Sequence, residues 1–72
     1  MPKLCDRLVE LKNSKGCLQK DIAKFSGMSL RTYQRYEKGQ VQPTLPVLIA
    51  LANFFDVSID YLVGRSDDPK RH

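Results

Sequence analysis

The sequence predicts an all-α bundle of five short helices, and three observations predict it. Apolar residues recur at helical spacing, and no segment alternates in the manner of a half-buried strand. Gly16, Gly27, Gly39 and Gly64 each fall just past an apolar-periodic stretch, where a left-handed C′ residue is favoured. The 72 residues are 42% hydrophobic, enough for one small core without a disulfide framework or a metal.

The elements follow in order. Leu4, Leu8 and Leu11 recur at i, i+4 and i+7, one stripe of a first helix that ends near Gly16. A second helix runs from about Leu18 to Phe25 with Ile22 and Ala23 inward, and Ser26-Gly27-Met28 interrupts it. A third begins after Ser29 and stops at Gly39, followed by a loop over Gln40 to Thr44 that contains Pro43. A fourth, Leu45 to Phe55, carries Leu48, Ile49, Leu51, Ala52 and Phe55, with Pro46 tolerated in its first turn. A short fifth, from Ser58 to about Val63, ends at Gly64. Residues 1–64 thus form one domain. Residues 65–72, polar, mixed in charge and containing Pro69, read as a frayed tail.

The net charge of +4 is unevenly spread. Residues 1–38 hold nine Lys/Arg against four Asp/Glu, about +5, and residues 39–72 hold three against four, about −1. That asymmetry suggests a polyanion on one face. Cys5 and Cys17 are too few for a disulfide scaffold, and the only histidine, His72, stands too far along the chain to complete a metal site with them. They read as free thiols, with a regulatory thiol as the alternative. No metal and no cofactor is expected. An enzyme is not expected either, because no phosphate-cradling glycine loop and no Cys–His arrangement is present. Met1-Pro2-Lys3 leads at once into charged residues, unlike a signal peptide, and the longest apolar run, Val47 to Ala52, is too short for a bilayer. A cytoplasmic chain is expected.

The stretch from Gln19 to Lys38 carries the chemistry. A helix-turn-helix needs two helices at a steep angle over a turn of three or four residues. Ala23 is small where the two helices must approach, Gly27 permits the positive φ of a sharp turn, and Ser29 can cap the third helix. Met28 and Tyr33 then occupy the N′ and N4 positions of a hydrophobic staple. At about 100° per residue, Tyr33 and Tyr36 join Met28 on the inward side of the third helix. The opposite side comprises Arg31, Gln34, Arg35 and Lys38, with Leu30 and Glu37 on one flank and Thr32 on the other. Such a face suits the DNA major groove. Arg pairs with guanine O6 and N7 through two hydrogen bonds, and Gln does the same for adenine. Leu30 can pack on a thymine methyl, and Lys38, near the helix end, suits a phosphate.

At these residues the chain resembles the lambda-type (Xre/Cro) family of phage and bacterial repressors. The resemblance spans about residues 4 to 63. It rests on Gln19, Ala23 and Gly27, on Tyr33, Tyr36, Glu37 and Gly39, and on Pro43, Leu45 and Asp56-Val57-Ser58-Ile59-Asp60-Tyr61-Leu62. It implies the five-helix lambda-repressor-like DNA-binding domain. It also implies that Gln19 contacts phosphate and braces the third helix, and that Leu30, Arg31 and Arg35 reach base edges. Lys12 and Glu37 match a basic–acidic pair joining the first helix to the third, which at an exposed site is worth about 0–1 kcal/mol. Gln40 and Gln42 fall in a loop that lines the DNA backbone in relatives. Two positions depart from the pattern. Leu18 stands where relatives place a capping Ser or Thr, which costs the second helix about 1 kcal/mol. Cys17 replaces a larger aliphatic residue. The loop after Gly39 lacks the usual Lys and Arg, so moderate backbone affinity is expected.

The expected function is sequence-specific transcriptional regulation, with repression by a homodimer on a pseudo-palindromic operator in double-stranded DNA. Phe54, Tyr61 and Val63 are candidates for the dimer interface and equally for the core. Two other readings share this fold: an antitoxin whose main partner is a toxin, and a controller of a restriction–modification operon. A separate anti-repressor protein is a further conceivable partner.

Overall fold

The computed structural model describes residues 3–70; Met1, Pro2 and His72, read above for a leader and a metal site, lie outside them. Five helices are present and no strand among the described residues: α1 Leu4–Lys15, α2 Gln19–Phe25, α3 Leu30–Glu37, α4 Leu45–Phe55 and α5 Ile59–Leu62. Each agrees with the expected element to within a residue at either end. The all-α, five-helix fold class read from the sequence is the one observed.

The stripe on α1 and the inward faces of the other helices meet in one core of Leu8, Leu11, Ile22, Ala23, Tyr33, Leu51, Ala52, Phe55, Val57 and Leu62. Burying a side chain the size of Leu or Phe contributes about 1.5–3 kcal/mol, so these positions hold the bundle together. α2 packs chiefly on α3, and α1 also packs against α3, so two helices support the third. Leu4, Met28, Tyr36 and Leu48 pack around the core from partly buried positions.

The helix ends follow one rule with one exception in residue type. Gly16, Gly27, Gly39 and Gly64 take φ values between 65° and 84°, and α4 ends instead on Asp56 at φ 56°, the single non-glycine at positive φ among the described residues. At the start of α2 the extended backbone of Leu18 (φ −99°, ψ 143°) has the geometry of a cap, yet its side chain accepts nothing. Because Leu18 is also an exposed apolar residue, Leu18→Ser is expected to stabilise the domain by about 1 kcal/mol by satisfying an orphan N–H of α2. Urea unfolding checks this; a midpoint that stays put or falls contradicts it.

Burial on α4, the segment after Gly64 and the place of Arg7 go beyond or against the sequence reading. Ile49, one of the apolar residues that α4 carries, is 44% exposed, and Leu45 one turn before it is 61% exposed. α5 follows α4 after the Asp56 turn and packs against it, while Ala52, Phe55 and Val57 are buried and the ridge of Leu45 and Ile49 stays bare. The segment after Gly64 is not frayed as far as Lys70. Ser58 N–H donates to Pro69 O at 3.0 Å, Arg65 N–H to Asp60 O at 2.8 Å, and Lys70 N–H to Asp68 Oδ1 at 3.0 Å. Arg7, unremarked in the sequence, is 5% exposed. Its guanidinium lies 3.8 Å from the centroid of the Tyr61 ring, Nε donates to Tyr61 O at 3.1 Å, and Asp67 stands 3.6 Å away. The signal was available: Arg7 sits three after Leu4 and four before Leu11, on the inward stripe of α1.

Candidate nucleic-acid interface

The turn between α2 and α3 is built from backbone bonds that only one local conformation permits. Gly27 N–H donates to Lys24 O at 3.3 Å and Met28 N–H to Ala23 O at 3.0 Å, which together close α2. The Met28 bond spans Gly27 at φ 72°, while a Cβ there would meet no atom within 4 Å. The demand for glycine is therefore conformational alone. Gly39 differs: at φ 72° a Cβ would also come within 3.3 Å of Cys5 Sγ. Ala23, 2% exposed, is small enough for α3 to pass. Ser29 caps α3, its Oγ accepting from Thr32 N–H at 3.1 Å and donating to Thr32 Oγ1 at 2.9 Å. Met28 packs on the core that contains the fully buried Tyr33.

With Tyr33 buried and Tyr36 half-buried, α3 turns its basic side outward. Arg31, Gln34, Arg35 and Lys38 line one open cleft with Gln40. Leu30 is exposed at the start of the same helix. Gln42 is exposed but borders the adjoining groove, which runs from Lys38 past Gly39 and Pro43 to Cys5 and Val63. Lys38 belongs to both. Arg35 in the last turn of α3 also complements the negative end of the helix dipole.

Behind this face lies a polar network. Lys12 Nζ donates to Glu37 Oε1 at 3.0 Å, Gln19 Nε2 donates to the same oxygen at 3.0 Å, and Gln34 Nε2 donates to Gln19 Oε1 at 3.1 Å. The pair that joins α1 to α3 is not an exposed one: the Glu37 side chain is 8% exposed and that of Lys12 18%. The helical wheel places Glu37 on a flank, but α1 and α2 both close over that flank. Tyr33 Oη and Glu37 Oε2 are buried nearby without a hydrogen bond of good geometry. Burial of the phenol, reinforced by that carboxylate, pushes the Tyr33 pKa well above the usual tyrosine range.

Phe54, Tyr61 and Val63 are half-buried and have neighbours within the chain. The Phe54 ring stands edge-on to Phe25 (5.4 Å) and to Phe55 (5.2 Å). Tyr61 lies under Arg7, and Val63 lines the groove beside Leu4 and Cys5. Both cysteines are free.

A capped helix set by a glycine turn, with its basic side bare, is the geometry of a helix-turn-helix, and residues 8–62 match the helix-turn-helix family profile. The chain belongs to this helix-turn-helix family. Over 90% of its length it is 35% identical to the HTH-type transcriptional regulator YobD of Bacillus subtilis, covering 58% of that protein. Over 88% of its length it is 35% identical to the cryptic phage CTXphi transcriptional repressor RstR of Vibrio cholerae, covering 56% of that protein. The chain thus spans little more than half the length of these helix-turn-helix relatives. Among solved structures, a transcriptional regulator from Listeria innocua superposes with a TM-score of 0.81 at 35% identity, over 86% of this chain and 58% of that one. The P22 c2 repressor, solved on a synthetic operator, superposes with a TM-score of 0.84 over 92% of this chain and 100% of that one, at 21% identity, a likeness of fold. The lambda-type resemblance read from the sequence agrees with all four.

Proposed function

We infer that this helix-turn-helix chain is a sequence-specific DNA-binding regulator of transcription, and that it represses by occupying a pseudo-palindromic operator as a dimer. The observation that carries the reading is the bare side of α3, where Arg31, Gln34, Arg35 and Lys38 converge on one cleft above a buried anchor at Tyr33. Arg31 and Arg35 read base edges, Gln34 supplies an amide to the same groove, and Leu30 meets a thymine methyl. Lys38, Gln19, Gln40 and Gln42 hold phosphates and set the register. The likeness to the CTXphi transcriptional repressor RstR supports repression in particular. The protein works in the cytoplasm, by binding and not by catalysis. Recovering the DNA bound to the chain from genomic fragments tests the reading. One enriched sequence with two-fold symmetry is expected, and enrichment of no sequence would overturn it.

A dimer places two copies of α3 in successive major grooves about 34 Å apart. The seam that fits best is not Phe54, Tyr61 and Val63, which have partners within the chain. It is the ridge of Leu45 and Ile49, where Ile49 borders a shallow groove of mixed polarity formed by Ala52, Asn53, Val57, Ser58, Ile59 and Asp60. A ridge next to a groove is self-complementary under two-fold symmetry. Ile49→Glu is expected to convert the dimer to a monomer in sedimentation and to weaken operator binding, with the helical content unchanged because the side chain is exposed. A wild-type chain that is monomeric both free and on DNA would dispose of the dimer.

A further inference from the structure

The network behind the DNA face has a direction. A carboxylate only accepts, so the Gln19 amide must turn its nitrogen toward Glu37. That leaves the Gln19 oxygen for Gln34, and this oxygen in turn demands the nitrogen of Gln34. The ammonium of Lys12, which only donates, holds the carboxylate at the far end. One ionised group on α3, clamped from α1, therefore sets the orientation of two neutral amides that would otherwise be free to turn over. The end of the series reaches the outside. Gln34 lines the cleft with Arg31, Arg35, Lys38 and Gln40, and its carbonyl oxygen and second N–H are left for a partner there.

We propose that Gln34 is a specificity-determining residue whose presented donor–acceptor order is set by Glu37 through Gln19, with Lys12, Gln19 and Glu37 as positioning residues for the reading of one base pair. This rests on the DNA-binding reading above. An amide offering oxygen and N–H side by side matches the N6 and N7 edge of adenine, and the same amide turned over presents the reverse order. A lone surface glutamine samples both orders and is ordered only when DNA arrives. Gln34 is ordered beforehand, so binding forfeits less side-chain freedom and the wrong base meets a group that cannot turn to suit it. Arg31 and Arg35, outside the network, need no such support.

The test begins with the preferred duplex, selected from a randomised pool by the wild-type chain. Affinities are then measured for that duplex and for variants changed at each base pair in turn. Gln34→Met is expected to erase the preference at one base pair, a loss of about 5- to 150-fold in discrimination. Gln19→Met, of similar length and unable to hydrogen-bond, is expected to lower discrimination severalfold at that same base pair. It also weakens binding to every duplex through the lost phosphate contact, which is why the readout is the preference and not the affinity. The double variant should discriminate no worse than Gln34→Met alone, since the two residues act in series. In the DNA-free protein, the side-chain amide protons of Gln34 should exchange slowly with solvent by NMR, and quickly in Gln19→Met. The inference is overturned if Gln19→Met leaves the preference intact, or lowers discrimination evenly at all positions, or leaves Gln34 amide exchange unchanged. A wild-type chain that selects no sequence defeats the DNA-binding reading itself, an outcome distinct from selective binding that ignores Gln19.

Discussion

Truncating Phe55 to alanine is expected to cost about 3–5 kcal/mol of folding stability. The side chain is fully buried at the end of α4, in the core that also holds Tyr33, Leu51 and Leu62, and its ring meets that of Phe54 at 5.2 Å. Removing the ring forfeits its transfer free energy. It also leaves a cavity that the neighbours can fill only in part, because α4 is tied to α5 through the turn at Asp56. Domains of this length have about 4–11 kcal/mol of stability in total, at 0.05–0.15 kcal/mol per residue. A loss of this size therefore unfolds a measurable fraction at room temperature. Urea unfolding followed by circular dichroism measures it. A cost below about 1 kcal/mol, the range of surface changes, would mean that Phe55 is not central to the core. Leu45→Ala makes the contrasting control, since that residue is 61% exposed and should change stability little in the isolated chain.

Arg31→Ala acts on binding and leaves the fold alone. Arg31 is exposed on α3 and lines the basic cleft, so stability should move by no more than about 0.5 kcal/mol. Binding to the selected duplex is expected to weaken by about 1–3 kcal/mol, roughly 5- to 150-fold, with preference relaxed at one base pair. Lys38→Ala should behave differently. A phosphate contact carries no sequence information, so affinity falls evenly across duplexes and the salt dependence shrinks by about one ion. Gel shifts at several salt concentrations, on the selected duplex and its single-base variants, separate the two. If Arg31→Ala leaves both affinity and preference untouched, α3 does not read bases through this residue.

Much of this architecture was legible because it depends on neighbours along the chain. Helix starts at Ser29 and Ser58, stops at Gly16, Gly27, Gly39 and Gly64, and the inward direction of Tyr33 are consequences of backbone torsions, local caps and the 3.6-residue period. The basic side of α3 followed from the same period once Tyr33 was placed inward. Where the reading went astray, the missing fact was the position of another helix. Ile49 has as apolar a side chain as Leu51, and periodicity gave no ground for leaving it out of the core. Glu37 on a helical wheel is a flank residue, and nothing local announces that α1 and α2 will cover it. The segment after Gly64 has the composition of a frayed tail, yet a main-chain bond from Ser58 to Pro69 folds it back.

The sequence by itself determined the number of helices, their limits, the sharp turn at Gly27 and the residues that α3 presents. Each depends on interactions within a few residues. Only the tertiary structure decided that Lys12, Gln19, Glu37 and Gln34 form one directed network, that Arg7 is buried on Tyr61, and that Leu45 and Ile49 are the bare apolar ridge. These join residues 15 to 54 positions apart, or turn on which side of α4 receives a neighbour. No local propensity encodes such a distance. It is set when the helices close on a shared core, and the polar groups left beside that core must then find the partners that the packing places within reach.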